Sequence, residues 1–505
     1  MTVQIEPLPE IILGPPGTGK TTRLIKIVAD ELSSGTPPDR IGYTTFTRRG
    51  ATEAQDRMRE IHKLSRSDLP WFRTIHSLCM RWSGIGTKQL LDGQALLEFS
   101  NSVGERITGR FSQDDGTYSG YDRGDRMLFM DNLSRIRRIS LRQQYEESHD
   151  DIDWVVVDRF SRSLKEFKIA KLVLDYTDVL ETFVQRNSGP SLDVLIVDEA
   201  QDLSYIQWMV ISILAKTCRR VVIAGDDDQA IYRWAGADVE TLLYLEGKVE
   251  VLDQSWRVPQ KIQKVADTII SRVRHRRLKV WNPRPVPGIV TRLNDINDID
   301  WKGNSVLMLA RNQYLLFGIM DSLRSAGVLF MHHGFPSVKQ SYLDGIVAWE
   351  RMRSGTQVSV PEARKALDLI TTGKGVKRGN KTLKGYDDQD MIGMQSLRDD
   401  IGVTVEGIWH EALDKIPLVE RMYMVRCRRN GERFSLPPRV RIDTIHASKG
   451  GEADKVIILP DMATRTYAES LEHPEDEARV WYVGVTRAKE ELCVLNTQSP
   501  RSMEL

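Results

Sequence analysis

The sequence predicts an α/β protein with two doubly wound, mainly parallel sheets, and three observations carry that expectation. Short apolar runs stop abruptly at acidic or glycine residues: Ile11-Ile12-Leu13 before Gly14, Val194-Leu195-Ile196-Val197 before Asp198-Glu199, and Val221-Val222-Ile223-Ala224 before Gly225-Asp226. Helical patterns such as Thr21 to Leu32 and Ile206 to Ala215 lie between them. A similar set recurs later, in Val306-Leu307-Met308-Leu309-Ala310 and Val456-Ile457-Ile458-Leu459. Each run reads as a buried parallel strand whose C-terminal end presents polar residues, the edge at which such sheets bind ligands.

The 505 residues carry 71 Lys+Arg against 70 Asp+Glu, a formal charge of +1. At roughly 100–200 residues per domain, three or four domains are expected. The composition excludes a disordered chain, and no apolar run is long enough for a membrane span. The start MTVQIEPLPE lacks the basic end and apolar core of a secretory signal. Cys79, Cys218, Cys427 and Cys493 are far apart with no CxxC pair, so neither a zinc ribbon nor a disulfide framework is expected, and a cytoplasmic setting is the simplest. The balanced charge weighs against a surface wholly given to nucleic acid, but it permits a local basic groove.

Two stretches break the strand–helix rhythm. Residues 78–171 are helix-rich and charged, with a polar loop from Ser112 to Asp125; residues 356–437 contain the Gly/Lys stretch Thr372 to Lys384 and the basic loop Arg426 to Arg433. Both read as insertions. The division expected is a first α/β domain of residues 1–77 and 172–254 with insertion 78–171, and a second of residues 255–355 and 438–505 with insertion 356–437.

The most specific local signal is GPPGTGKT, Gly14 to Thr21, a complete GxxxxGK[ST] pattern after a strand and before a helix. Gly14, Gly17 and Gly19, with Pro15, Pro16 and Thr18 between them, let backbone N–H groups wrap phosphates, and the following helix start favours the same anion. Lys20 is expected at the β/γ-phosphates, the Thr21 hydroxyl on Mg²⁺, and Thr22 beside it. IVDEAQD, Ile196 to Asp202, supplies the acidic partner: Asp198 for the metal and Glu199 as general base for water. These parts alone indicate only an NTPase.

The remaining motifs narrow that class. VIAGDDDQAIYRWAGAD (Val222 to Asp238) resembles motif III of the UvrD/Rep-type helicases of superfamily 1A. In order, TTFTRRGA (Thr44 to Ala51), TIHSL (Thr74 to Leu78), QSWRVP (Gln254 to Pro259), TIHASKGGEADKVIIL (Thr444 to Leu459) and YVGVTRAKEEL (Tyr482 to Leu492) resemble motifs Ia, Ib, IV, V and VI. The resemblance spans residues 14–492. It implies two RecA-like P-loop NTPase domains, each with a mainly helical insertion (a 1A/1B/2A architecture with a reduced 2B).

For individual residues, the resemblance implies Gln229 as sensor of the γ-phosphate and attacking water. Arg257 and Arg487 would come from the second α/β domain to the γ-phosphate; an arginine finger is worth about 10³–10⁵ in rate. Trp256 would stack on adenine and Glu452 would contact the ribose. On the DNA side, Phe46, Tyr232 and Trp234 would stack on bases, at about 1–3 kcal/mol each. Thr45, Thr47, Thr74 and Thr444 would donate to phosphates, and His76 and His446 would contact or couple to DNA. The basic runs Arg135–Arg142, Arg272–Lys279 and Arg426–Arg433 are candidate DNA contacts set against the commoner reading of solvated faces.

The chain departs from the family in three ways. Gln4 is out of register with the adenine-reading glutamine, Ala235 replaces an Arg after the motif III Trp, and the second insertion is reduced. The chain also stops soon after motif VI, so neither a nuclease domain nor a long tail is expected. The resulting expectation is an ATP- and Mg²⁺-dependent 3′→5′ DNA helicase or translocase acting on single strands and junctions. It would act as a monomer, with transient self-association allowed. The alternatives are a superfamily 1B 5′→3′ helicase and a P-loop switch without unwinding activity.

Overall fold

The computed structural model describes residues 3–109, 122–301, 305–378, 380–383 and 385–505. The chain packs into two compact units: Met1–Val290 with Met462–Glu491 and Arg501–Leu505, and Thr291–Asp461 with Leu492–Pro500. Residues 255–290 and 462–491, assigned from sequence to the second α/β domain, thus pack within the first unit. Most of the polar loop expected at Ser112 to Asp125 lies outside the described residues, as do Gly379 and Lys384 of the Gly/Lys stretch.

The first unit is built on a six-stranded parallel sheet in the order Phe72–Thr74, Ile41–Thr45, Val194–Asp198, Arg220–Gly225, Glu10–Leu13, Lys248–Val251. Parallel neighbours cannot be joined by a tight turn, so the connections cross over through helices. Strand periodicity divides the core. Ile11, Leu13, Leu195, Val197, Val221 and Ile223 face the helices Ile75–Ser83, Tyr176–Arg186 and Tyr205–Ala215. Ile12, Tyr43, Ile196, Val222 and Ala224 face the helices Lys20–Ser33 and Arg48–His62. Register brings Thr45 beside Asp198 and Leu13 beside Gly225. The motif-bearing strand ends therefore share one edge.

Between the strands Phe72–Thr74 and Val194–Asp198 runs a helical body with its own small core of Phe99, Met127, Met130, Val157, Phe160 and Leu164. The first unit also holds the strand Gln254–Pro259, paired in parallel with Asn282–Arg284, and the helices Gln260–Ile270 and Pro474–Val485. The last of these is buried continuously from Glu477 to Val485, and this burial draws it into the first unit.

The second unit carries a seven-stranded sheet in the order Phe335–Pro336, Phe330–His332, Val440–Thr444, Val306–Ala310, Ala453–Leu459, Ala488–Leu495, Ile289–Leu293. Its four strands from Phe330–His332 to Ala453–Leu459 are parallel neighbours. A helical body follows, with a core that includes Ile346, Trp349, Leu367, Trp409, Tyr423 and Met424. That core already draws on Leu329, Val338 and the helix Gln340–Arg353, ahead of the insertion start at residue 356 read from sequence. Among the described residues no helix is long and apolar enough to cross a membrane, and all four cysteines are buried free thiols.

Candidate functional site

At the C-terminal edge of the first sheet, the Gly14–Thr21 loop turns with Gly17 at φ +73° and Gly19 at φ +84°, in the left-handed region that only glycine enters without strain. A Cβ on Gly14 would sit 2.1 Å from Lys20 Cγ, so the first glycine makes room for the lysine stem. Lys20 Nζ donates to the Gly14 carbonyl at 2.7 Å. The helix Lys20–Ser33 starts with no side-chain cap and no acid in its first turn. Its amide dipoles thus point at the loop without an internal anion.

Asp198 closes the other side. The Thr21 hydroxyl donates to its Oδ2 at 3.2 Å, the Tyr43 hydroxyl donates to the same atom at 2.9 Å, and the Glu199 amide donates to Oδ1 at 2.9 Å. Burial first, then the Glu199 charge, pushes the Asp198 carboxyl up to about 6. Burial and the Asp198 charge hold the Tyr43 phenol well above its usual range, so it stays a donor. A hydroxyl and a buried carboxylate side by side suit a hard cation, whose charge would restore the ionised carboxylate.

From Glu199 a chain of hydrogen bonds runs through the buried edge. Glu199 has φ +55°, rare for a side-chain-bearing residue and a strain that functional sites retain. Gln201 Nε2 donates to Glu199 Oε2 at 2.5 Å, and Gln201 Oε1 accepts from the Asp226 amide at 3.0 Å. Gln229 Nε2 donates to Asp226 Oδ2 at 2.6 Å, and Arg487 Nη2 donates to Gln229 Oε1 at 3.0 Å. Arg487 is 2% exposed and also donates from Nε to the Val483 carbonyl at 2.8 Å.

The Gln254–Pro259 strand docks directly on the phosphate loop. Ser255 Oγ donates to the Pro16 carbonyl at 2.7 Å and the Trp256 amide donates to the Gly17 carbonyl at 2.9 Å. A Cβ on Gly17 would lie 2.3 Å from Arg257 Cβ. Trp256 stands 69% exposed beside the loop. Arg257, Trp256 and Arg487 all belong to the first unit.

The candidate DNA residues divide. Phe46 and Tyr232 stack with ring centroids 5.4 Å apart, and Trp234 stacks on Phe129 at 6.5 Å. Thr45 is buried at a strand end, and the Thr47 hydroxyl caps the helix Arg48–His62 by accepting the Gly50 amide at 3.1 Å. Thr74 occupies the N-cap position of Ile75–Ser83 without a side-chain cap bond. His76 is half-buried and lies edge-on to Tyr176. Desolvation pushes its pKa down to about 4, so at neutral pH it is an uncharged ring. Thr444, His446 and Glu452 belong to the second unit. Thr444 is buried and accepts the Ala447 amide at 3.2 Å, His446 is buried, and Glu452 is exposed.

Known families match this arrangement. Residues 3–235 match the AAA domain model, and residues 420–499 match the UvrD-like helicase C-terminal domain model. The ATP-dependent DNA helicase PcrA of Bacillus subtilis (strain 168) is 26% identical, over 54% of this chain and 38% of that protein. The protein of the same name from Staphylococcus aureus (strain Mu50) is 23% identical, over 54% of this chain and 39% of its own length. Together these matches support a UvrD/Rep-type helicase of superfamily 1A. The match spans about two fifths of these relatives' length. The crystal structure of Arterivirus nonstructural protein 10 (helicase) aligns over 97% of this chain and 60% of that one, at 12% identity and a TM-score of 0.33.

Several residues that hold this site escape motif reading. Gln201 lies inside the acidic motif and carries the link from Glu199 to Asp226. Lys279 is fully buried with Nζ 2.5 Å from Asp227, 3.1 Å from Asp228 and 3.3 Å from Asp226. Burial lowers its pKa, but Asp226, Asp228 and Asp227 together more than offset this and hold it above the usual lysine value. Arg276 grips Asp228 with two bonds of 2.7 and 2.5 Å, and Arg479 Nε donates to the Asp227 carbonyl at 3.1 Å. The only sequence signal for this cluster is composition: three acids in Asp226–Asp228 demand nearby cations if buried. The run Arg272–Lys279, a candidate DNA contact, thus spends Arg276 and Lys279 on internal acids.

Proposed function

We propose that this chain is an ATP-dependent DNA helicase or translocase that moves 3′→5′ along single-stranded DNA and opens duplex at junctions. The observation that carries the reading is the unbroken hydrogen-bonded path from Glu199 through Gln201, Asp226 and Gln229 to Arg487. Gln229 on that path belongs to the same short segment as Tyr232, the stacking partner of Phe46.

In this reading, the Gly14–Thr22 loop and Lys20 hold the triphosphate, Trp256 stacks on adenine, and Glu452 contacts the ribose. Thr21 and Asp198 would hold Mg²⁺, which neutralises phosphate charge when bound. Glu199 accepts the proton of the water that attacks the γ-phosphorus as the bond to the β-phosphate oxygen breaks. Gln229 orients that water, and Arg257 and Arg487 stabilise the transferring phosphoryl charge. Any change at the γ-phosphate would alter what Gln229 and Arg487 bond to, and that change would reach Tyr232 and Trp234 through the few residues between them. Hydrolysis would be coupled to closure of the two RecA-like domains. Phe46, Tyr232 and Trp234 would stack on bases, while Thr45, Thr47, Thr74, His76, Thr444 and His446 line the strand. A monomer in the cytoplasm, with transient self-association allowed, completes the proposal.

The test is single-strand-stimulated ATPase together with unwinding of 3′- and 5′-tailed duplexes. Glu199→Gln should lower kcat by about 10²–10⁴-fold, and Arg487→Ala by about 10³–10⁵-fold. Mg²⁺ affinity should fall below about pH 6, where Asp198 takes up its proton. Absence of DNA stimulation, or full activity in Lys20→Ala, would sink the reading.

A further inference from the structure

The sequence holds three basic runs; the fold pairs most of the first with carboxylates and buries two members of the second among acids, while Arg272 and Arg274 of the second stay exposed. In the first, Arg135 pairs with Asp175 and Glu181 at 2.7 Å each, Arg137 with Glu147 at 2.6 Å and Arg142 with Glu146 at 2.6 Å. In the second, Arg276 and Lys279 are absorbed by Asp226–Asp228. In the third, Arg426, Arg428, Arg429 and Arg433 are all exposed, and among the described residues none has a carboxylate partner. The C-terminal end of the helix Leu418–Arg429 favours cations in its last turn. A helix dipole does not neutralise four full charges.

Two of these arginines border a cavity of about 750 Å³ within the second unit. Arg428 and Arg429 line it, together with Arg351 and Arg353, which carry Glu362 and Glu350 as partners. Its apolar lining comes from Ile346, Val425, Trp409 and Phe434. Arg428 lies 5.7 Å from the Phe434 ring centroid. The cavity continues an exposed apolar stripe. Leu418 and Met422 are 63% and 55% exposed and share one helix face with Val425 and Arg429 by their spacing of four, seven and eleven residues.

We infer that this face is a docking site for an acidic, amphipathic segment of a partner protein. Such a segment would place an aliphatic or aromatic anchor in the cavity and its carboxylates on the unneutralised arginines. A nucleic acid backbone would also find the arginines. It would leave Leu418 and Met422 without a partner, whereas an amphipathic segment covers both features at once. The inference uses neither ATP nor DNA chemistry and so stands or falls apart from the proposed activity.

The test uses the full chain and a fluorescein-labelled peptide of about twelve residues, with Leu and Phe at helical spacing and Asp or Glu elsewhere. Fluorescence anisotropy should show binding that weakens with salt. Arg428→Glu/Arg429→Glu and, separately, Leu418→Glu/Met422→Glu should each weaken it by at least about tenfold. Both pairs are exposed, so thermal unfolding should match the wild type and exclude loss of fold. No binding up to about 1 mM peptide, or unchanged affinity in either double variant, would overturn the inference. So would tight binding of a duplex or single-stranded oligonucleotide that depends on the arginines but not on Leu418 and Met422; the face would then be a nucleic acid surface.

Discussion

Arg272–Lys279 and Arg426–Arg433 look alike as text, each a short run dense in positive charge, yet they do opposite things. Lys279 is wholly buried among three carboxylates and Arg276 is nearly so against Asp228. Arg428 and Arg429 sit at a cavity mouth with no carboxylate paired to them among the described residues. Arg276 and Lys279 of the first run build the protein, because the buried carboxylates next to Gln229 are stable only with cations at contact distance. The second leaves its charge for something outside the chain. A basic run is a candidate site only after its internal partners have been subtracted.

Lys279→Met gives the largest expected effect on that contrast. It strands buried carboxylates and should cost about 3–5 kcal/mol in denaturant unfolding. Arg428→Met and Arg429→Met should each stay within about 0.5 kcal/mol. Comparable losses at the two places would break the contrast. Lys279 also sets an alkaline limit. Its pKa is raised on folding, so its stabilisation is complete below the ordinary lysine value and is lost as pH rises through the folded value.

His76 sharpens the same point from the uncompensated side. Desolvation is the cause of its depressed pKa, which falls to about 4 from 6.5. Between these values the unfolded chain binds the extra proton. His76 should therefore subtract about 3 kcal/mol as pH drops from 6.5 to 4. Unfolding measured across this range should lose about 3 kcal/mol more in the wild type than in His76→Gln; the same slope in both would remove His76 as its source.

The next effect asks whether DNA is read by rings or by cations. Phe46→Ala should cost about 1–3 kcal/mol in single-strand affinity. Arg428→Met/Arg429→Met should leave that affinity within about 0.5 kcal/mol. The reverse ranking in anisotropy would move the single strand to the arginine face. The smallest expected effect is the salt slope of single-strand binding, which should be shallow because few full charges meet phosphates.

Much of this was legible in the chain before folding was considered. The phosphate loop, Asp198 and Glu199 announce themselves because backbone wrapping needs glycines at set spacings and a strand end needs polar residues where it leaves the core. The two helical layers were equally open to strand patterning, since Ile11, Ile12 and Leu13 alternate between them. Gln201, Lys279 and Arg479 were not legible. Each acts on a partner remote in sequence or buried by tertiary contact, and an isolated Lys or Gln carries no period or motif. Thr47 shows a different limit: its motif position is also a helix N-cap, and the Gly50 amide takes up its hydroxyl oxygen.

The amino-acid order was enough to specify two parallel-sheet α/β layers and the residue types at the phosphate edge, because both follow from local geometry: alternation along a strand and the conformational freedom of Gly17 and Gly19. Only the packed structure decided which charges remain available. It put Arg487 on Gln229, Lys279 among Asp226–Asp228 and Ser255 on the phosphate loop, and it left Arg428 and Arg429 facing outward. Each of these contacts joins residues far apart in the chain, so no reading of neighbours along the sequence contains it.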